Sequence, residues 1–140
     1  WMDIAAGMAA QKHSNKRVVT ASVDNLAFVS PIKLGNLVHI EAKVTRAFNS
    51  SMEIYLKVWG EDLIEQKKYV SNVAYYTFVG LDCDMKPVKV PEIAPETELD
   101  KKLYDGAMQR RQMRLILGGK MKPGDATELK ELFISLNEDI

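Results

Sequence analysis

The sequence predicts an α+β domain in which one helix lies against a long antiparallel sheet, with a helical tail following. Three observations carry that expectation. Residues 1–13, WMDIAAGMAAQKH, have no proline and no β-branched run but four alanines, the strongest helix former. Residues 17–82 contain four long stretches rich in β-branched and aromatic residues, several alternating apolar with polar as a half-buried strand does. From Thr97 the apolar spacing changes to that of a helix.

The first helix is apolar on every side until Gln11, which predicts burial all round. Ala5, Ala6, Gly7, Ala9 and Ala10 are small enough to let a sheet or a ligand come close. Asp3 is the one carboxylate in this segment, and Asp3, Gly7 and Ala10 share a face at i, i+4 and i+7. Two roles fit Asp3 on spacing alone: a cap at the helix N-terminus, or an acid heading a channel of small residues.

Ser14-Asn15 ends the helix, and strands are expected over residues 17–30, 36–48, 51–60 and 68–82. The first is expected to bend at Asp24-Asn25. In the second, Val38, Ile40, Ala42 and Val44 alternate with His39, Glu41, Lys43 and Thr45, predicting one dry and one wet face. In the third, Met52, Ile54, Leu56 and Val58 oppose Glu53, Tyr55, Lys57 and Trp59. Residues 60–66 read as a hairpin connection, and the short links suggest a meander. Leu99, Leu103, Ala107, Arg110 and Arg114 mark an amphipathic helix that Gly118-Gly119 stops. Pro123-Gly124-Asp125 starts a last helix, with Leu129, Leu132, Phe133 and Leu136 on its dry side.

Composition narrows the function classes. The chain has 140 residues, and its 46% apolar and 27% charged content is that of an ordinary globular domain. Nineteen basic and nineteen acidic residues cancel, so no global field draws it to nucleic acid or an anionic membrane. The lone Cys83 leaves no disulfide framework and suits the cytoplasm. No membrane-spanning run is seen, and the apolar start is short and lacks a basic flank. The chain opens on Trp, from which we expect further residues upstream and a sheet short of one strand.

One small-residue helix followed by four long antiparallel strands is the layering of a hotdog, a sheet wrapped around a central helix. The motifs WMD-IAAG-x-AA-x-KHS, VVTASVD-x-x-x-F-x-x-PI-x-x-G, SSME-x-x-x-VW and A-x-x-TFV-x-LD resemble the hotdog acyl-CoA thioesterases. The similarity is to the group of the bacterial acyl-CoA hydrolases and the brain acyl-CoA hydrolase. It covers residues 1 to about 91, so a hotdog domain over 1–91 and a helical extension over 92–140 are expected.

The resemblance implies an acyl-CoA substrate and hydrolysis of its thioester, without metal or cofactor. The acid matching Asp3 is the family's catalytic carboxylate, placed beside the thioester at a subunit interface. It implies that the family's asparagine and glycine-rich turn, which give N–H donors to the thioester oxygen, lie upstream of Trp1. A homodimer joined through sheet edges is expected, grouping further into hexamers. Gly7, Ser50, Ser51, Arg17, Arg46 and Thr77 are candidate substrate or CoA contacts. Each also has a plain reading, as close packing, turn, solvated cation or structural hydroxyl. His13 lies about 15 Å along the helix from Asp3 and suits the helix C-terminus. A hotdog dehydratase would need a histidine close to its acid, and a hotdog module that only binds acyl-CoA is the non-catalytic alternative.

Overall fold

The structure, a computed structural model, describes residues 1–138, with the side chains of all but 25, 26, 133 and 136–138. It forms two compact units, Trp1–Ala94 and Pro95–Ile140. In the first, α1 (Met2–Ser14) precedes β1 (Arg17–Phe28), β2 (Leu37–Ala47), β3 (Ser51–Asp62) and β4 (Lys67–Leu81). The strands form one four-stranded antiparallel sheet in the order β1-β4-β3-β2.

That order corrects the expected meander. β2, β3 and β4 do follow one another, but β1 joins the far side of β4. The connection 29–36 therefore has to pass the end of the sheet, and polar contacts fix its path. The Val29 N–H donates to the Ser71 carbonyl at 2.8 Å, and the Ser71 hydroxyl donates to the Ser30 carbonyl at 2.7 Å. The Tyr69 hydroxyl oxygen accepts from the Lys33 N–H at 3.2 Å and from Asn36 Nδ2 at 2.8 Å.

β3 also outruns its expected end at Gly60. Gly60 pairs with Tyr69, then Glu61 with Lys68 and Asp62 with Lys67, so two cross-strand charge pairs prolong the hairpin. The tight turn is closed by the Asp62 carboxylate, which accepts the N–H groups of Ile64 and Glu65, each at 3.0 Å. Those two donors hold Asp62 below the usual carboxylate range.

The core is the layer between α1 and the sheet. Met52, Ile54, Leu56 and Val58 of β3 and Ala74, Tyr76 and Phe78 of β4 meet Ala6 and Ala10 of α1, with Val90 closing one end. The helix face is small and the sheet face large, so the two layers interdigitate rather than collide. α1 ends where Asn15 turns into the left-handed region and its N–H donates to the Gln11 carbonyl at 2.9 Å.

Burial of α1 all round is not what the structure shows. Ala6, Ala10 and Ser14 are buried, whereas Trp1 is 92% exposed, with Ile4 and Met8 also largely outside. A sheet covers one face of a helix and cannot cover two. The wet-face expectation fails as well, at Thr45 and Glu53. A bulge between Val44 and Arg46 displaces Thr45, which is buried and donates to Glu53 Oε1 at 2.6 Å. Glu53 is fully enclosed, and a hydrogen-bonded carboxylate tolerates that burial where a bare one would not.

In the second unit α2 (Glu98–Leu117) is followed by a single 3-10 turn at Pro123–Asp125 and by α3 (Thr127–Glu138). Thr97 and Asp100 cap α2 reciprocally: the Asp100 N–H donates to Thr97 Oγ1, and the Thr97 N–H to Asp100 Oδ2. Leu103, Ala107 and Gln112 are its buried stripe, and Leu99 is half exposed. Gln112 Oε1 accepts the Leu129 N–H at 3.0 Å and so fastens α3 to α2. Phe133 and Leu136, expected on the dry side of α3, lie outside the described side chains. Among the described residues no helix is long and apolar enough to cross a membrane.

Gly60 is a necessary glycine. A Cβ there would come within 2.9 Å of Tyr69 Cε2 and closer still to Cζ, while the Tyr69 hydroxyl is pinned by the 29–36 connection. We expect Gly60→Ala to cost about 1–3 kcal/mol, because the ring must yield and abandon both donors. Urea unfolding measures this; an unchanged midpoint would mean that the Tyr69 ring is not held.

Candidate active site

Asp3 sits in the first turn of α1, where Trp1 is the N-cap residue and no side chain caps the helix. Asp3 makes no capping hydrogen bond to the helix here. The carboxylate instead bonds across to β1, where the Thr20 hydroxyl donates to Asp3 Oδ1 at 3.1 Å. Asp3 is exposed, so its charge is aimed by Thr20 rather than enclosed. The sequence offered no signal for Thr20, which read only as a β-branched strand residue. Two residues on different elements have no periodicity to link them.

β1 is irregular where it meets this acid. Thr20 pairs with Phe78 and Val23 with Tyr76, so the register shifts between Thr20 and Ser22, leaving Ala21 as the extra residue. A second shift lies between Asp24 and Ala27, across the expected bend. Thr20 and Val23 consequently share the α1 side of the sheet with Tyr76 and Phe78. Gly7 lies over Phe78: a Cβ built there would be 3.6 Å from Phe78 Cε1, which is ordinary contact. Close approach therefore does not demand glycine at this position. Tyr76 is 6% exposed, and its ring stands near-parallel to Phe78 at 6.2 Å. Burial first, and the Asp3 charge second, push the Tyr76 phenol above its usual range.

The other expected contacts divide into two groups. Arg17, Ser50 and Ser51 gather at the opposite end of the helix from Asp3. Arg17 pairs with Leu81 and Ser51 with Val79, and the Ser50 carbonyl accepts the Gly80 N–H at 2.9 Å. Beside them a recess of about 400 Å³ is lined by Ser14, Lys16, Lys89, Val90, Pro91 and Glu92. His13 closes its rim by donating from Nε2 to the Pro91 carbonyl at 2.8 Å, so its role is a tether. Thr77 and Arg46 are not brought to either place. Thr77 lies between Tyr76 and Phe78 and pairs with Glu53, which in turn pairs with Arg46. Strand alternation puts that row on the face away from α1 and from Asp3. Among the described residues no group of three or more His, Cys, Asp or Glu could hold a metal ion.

Asp3 can accept a proton or attack a carbonyl, and the sheet beneath it is apolar apart from two hydroxyls, Thr20 and Tyr76. Residues 1–66 match the Thioesterase superfamily. The chain is 39% identical over 122 residues to acyl-coenzyme A thioesterase 11 of Mus musculus, covering 87% of this chain and 20% of that one. The acyl-CoA hydrolase of Bacillus cereus superposes with a TM-score of 0.81 at 35% identity, covering 85% of this chain and 73% of that one. The acyl-CoA hydrolase of Staphylococcus aureus, solved with butyryl coenzyme A and coenzyme A, gives 0.77 at 38% identity, covering 84% and 74%. Alanine variants of the same enzyme, at a threonine and at an aspartate, also match. So does a hexameric acyl-CoA thioesterase, with 0.81 at 34% identity, covering 83% and 74%. The chain spans only a fifth of the mouse relative's length. With four antiparallel strands against one helix and these identities, the chain belongs to the thioesterase superfamily, among the hotdog acyl-CoA hydrolases.

Proposed function

We propose that this chain hydrolyses the thioester of a fatty acyl-CoA to a free fatty acid and CoA. The observation that carries this is the Asp3 carboxylate, fixed by the Thr20 hydroxyl at the N-terminal end of the central helix. Acting as general base, Asp3 takes a proton from water as the water oxygen bonds to the thioester carbon. The C–S bond then breaks, and CoA leaves as thiolate and is reprotonated. Acting as nucleophile, Asp3 would form an anhydride that water cleaves. The aspartate and threonine replaced in the Staphylococcus aureus variants are 17 positions apart, the spacing of Asp3 and Thr20, which supports this assignment. A dehydratase is disfavoured, because His13 is tethered to Pro91 at the other end of α1.

Asp3→Asn should keep the fold and the affinity for acyl-CoA while turnover falls by roughly 10² or more, since an amide neither accepts the proton nor attacks. His13→Ala should cost stability rather than rate. Thiol release from acyl-CoA measures both, and a near-wild-type rate in Asp3→Asn would make the carboxylate structural. A chain that binds acyl-CoA without turning it over would be the non-catalytic module instead.

The phosphates of CoA fit the basic end of the domain, where Lys16 and Lys89 flank the recess beyond α1 and Arg17 opens β1. Lys16→Ala combined with Lys89→Ala should raise KM several-fold and leave kcat unchanged, because it removes binding that substrate and transition state share. An unchanged KM would move the phosphates elsewhere.

We place this reaction in the cytoplasm, on the strength of a lone and exposed Cys83. The protein itself is the expected partner. β1 is an edge strand, and Val19, Val23 and Phe28 stand exposed along it, with Val29 just beyond its end; Ile4 and Met8 of α1 are exposed as well. An open apolar edge of that kind is covered by pairing with a second copy. Light scattering at micromolar concentration should give a dimer or a multiple of it; a monomer would refute pairing through β1.

A further inference from the structure

The face of the sheet turned away from α1 carries a recess in which the proposed hydrolysis has no part. Its volume is about 310 Å³, and Glu41, Lys57, Trp59, Lys68, Tyr69 and Val70 line it. Val58 belongs to the core, so Trp59 next to it faces outward, as does Lys57. A register shift brings β4 to meet them. Val58 pairs with Asn72 but Trp59 with Val70, which leaves Ser71 as the extra residue. Val70 and Lys68 thereby come onto the outer face, opposite Trp59 and Glu61.

Trp59 is held as a wall of this recess. His39, its partner on β2, stacks on the indole with ring centroids 5.3 Å apart and planes 11° from parallel. The imidazole is fixed in turn by Glu61 Oε2, 2.6 Å from its Nε2. Lys57 Nζ stands 5.8 Å from the indole centroid, and both side chains belong to half-buried residues. The charges around the recess do not cancel one another. Glu61 is engaged by His39, and Glu41 by Lys43 at 3.8 Å. Lys57 and Lys68 make no ion pair among the described residues. Two cations without a counter-ion therefore border an aromatic wall. A neutral ligand would leave both ammonium groups unanswered, and a cationic one would be repelled by them.

We propose that this recess is a second binding site, for an aromatic anion of one or two fused rings bearing a carboxylate or a phosphate. The ring lies along Trp59, and the anionic group takes hydrogen bonds from Lys57 and Lys68. Lys57 exchanges its contact with the indole for a charged hydrogen bond, which is the stronger of the two. A recess of this size is at the small end of ligand pockets, which suits one ring system and excludes a long acyl chain. The sheet stands between this site and α1, so its ligand is separate from the substrate that Asp3 meets.

Calorimetric titration of the chain with 2-naphthoate and with 2-naphthyl phosphate tests this and separates the two anionic groups. At least one should bind with a Kd of about 1 mM or tighter. Naphthalene-2-carboxamide, which keeps the rings without the charge, should bind at least tenfold more weakly. Cyclohexanecarboxylate, which keeps the charge without an aromatic ring, should do the same. Lys57→Met combined with Lys68→Met should weaken the anion roughly tenfold and leave the carboxamide unchanged. Trp59→Leu should weaken both naphthalene compounds. Failure of both anions to bind, equal affinity for 2-naphthoate and its carboxamide, or an unaltered Kd in the double lysine variant overturns the proposal. The lysine variant decides it even if Trp59→Leu does not fold. None of these measurements needs turnover, so they stand apart from the test of Asp3.

Discussion

The close seating of α1 on the sheet is the constraint from which the rest follows. Ala6 and Ala10 are fully buried, and the residues that meet them, Met52, Ile54, Leu56 and Phe78, are large. Small residues on the helix let its backbone come down between the sheet side chains. The bulk of the core is then supplied from one side only. A larger residue at Ala6 or Ala10 would lift the helix and with it Asp3. The carboxylate reaches Thr20 because it rides on a helix whose height is set by alanines.

The same constraint leaves work undone. One face of α1 is satisfied by the sheet, and the other presents Ile4 and Met8 outward next to the open edge of β1. Exposed apolar residues on both α1 and an edge strand are what an association surface is built from. Asp3 opens onto the same side, so a chain that pairs there would enclose its own acid. Exposure of Asp3 in the single chain and a desolvated reaction are compatible on those terms.

The four strands and the helix were legible because their periodicities are long and clean. The first to fail were details that period cannot encode. Strand order depends on which edge β1 joins, and nothing in residues 17–28 distinguishes β2 from β4 as a neighbour. Thr45 and Glu53 sit at alternation positions that read as wet, and a bulge with one internal hydrogen bond makes them dry. Gly60 looked like a turn, because its partner Tyr69, which fills the space above it, lies in another strand. At the site, Asp3 stood out as a lone acid in an apolar helix. Thr20 did not, since it is typical of a strand and acquires meaning only from what stands opposite.

The strand order also sets a timetable. α1 and β1 are made before β2, β3 and β4, yet β1 pairs with β4, at Lys67–Leu81. The intervening β2–β3–β4 hairpins have local contacts and can close as soon as they are made, but β1 has no strand to pair with until β4 exists. At ordinary synthesis rates that wait is on the order of seconds. Thr20, which holds Asp3, pairs with Phe78 of β4, and the interval before that pairing closes is when the nascent chain is most open to the wrong partner.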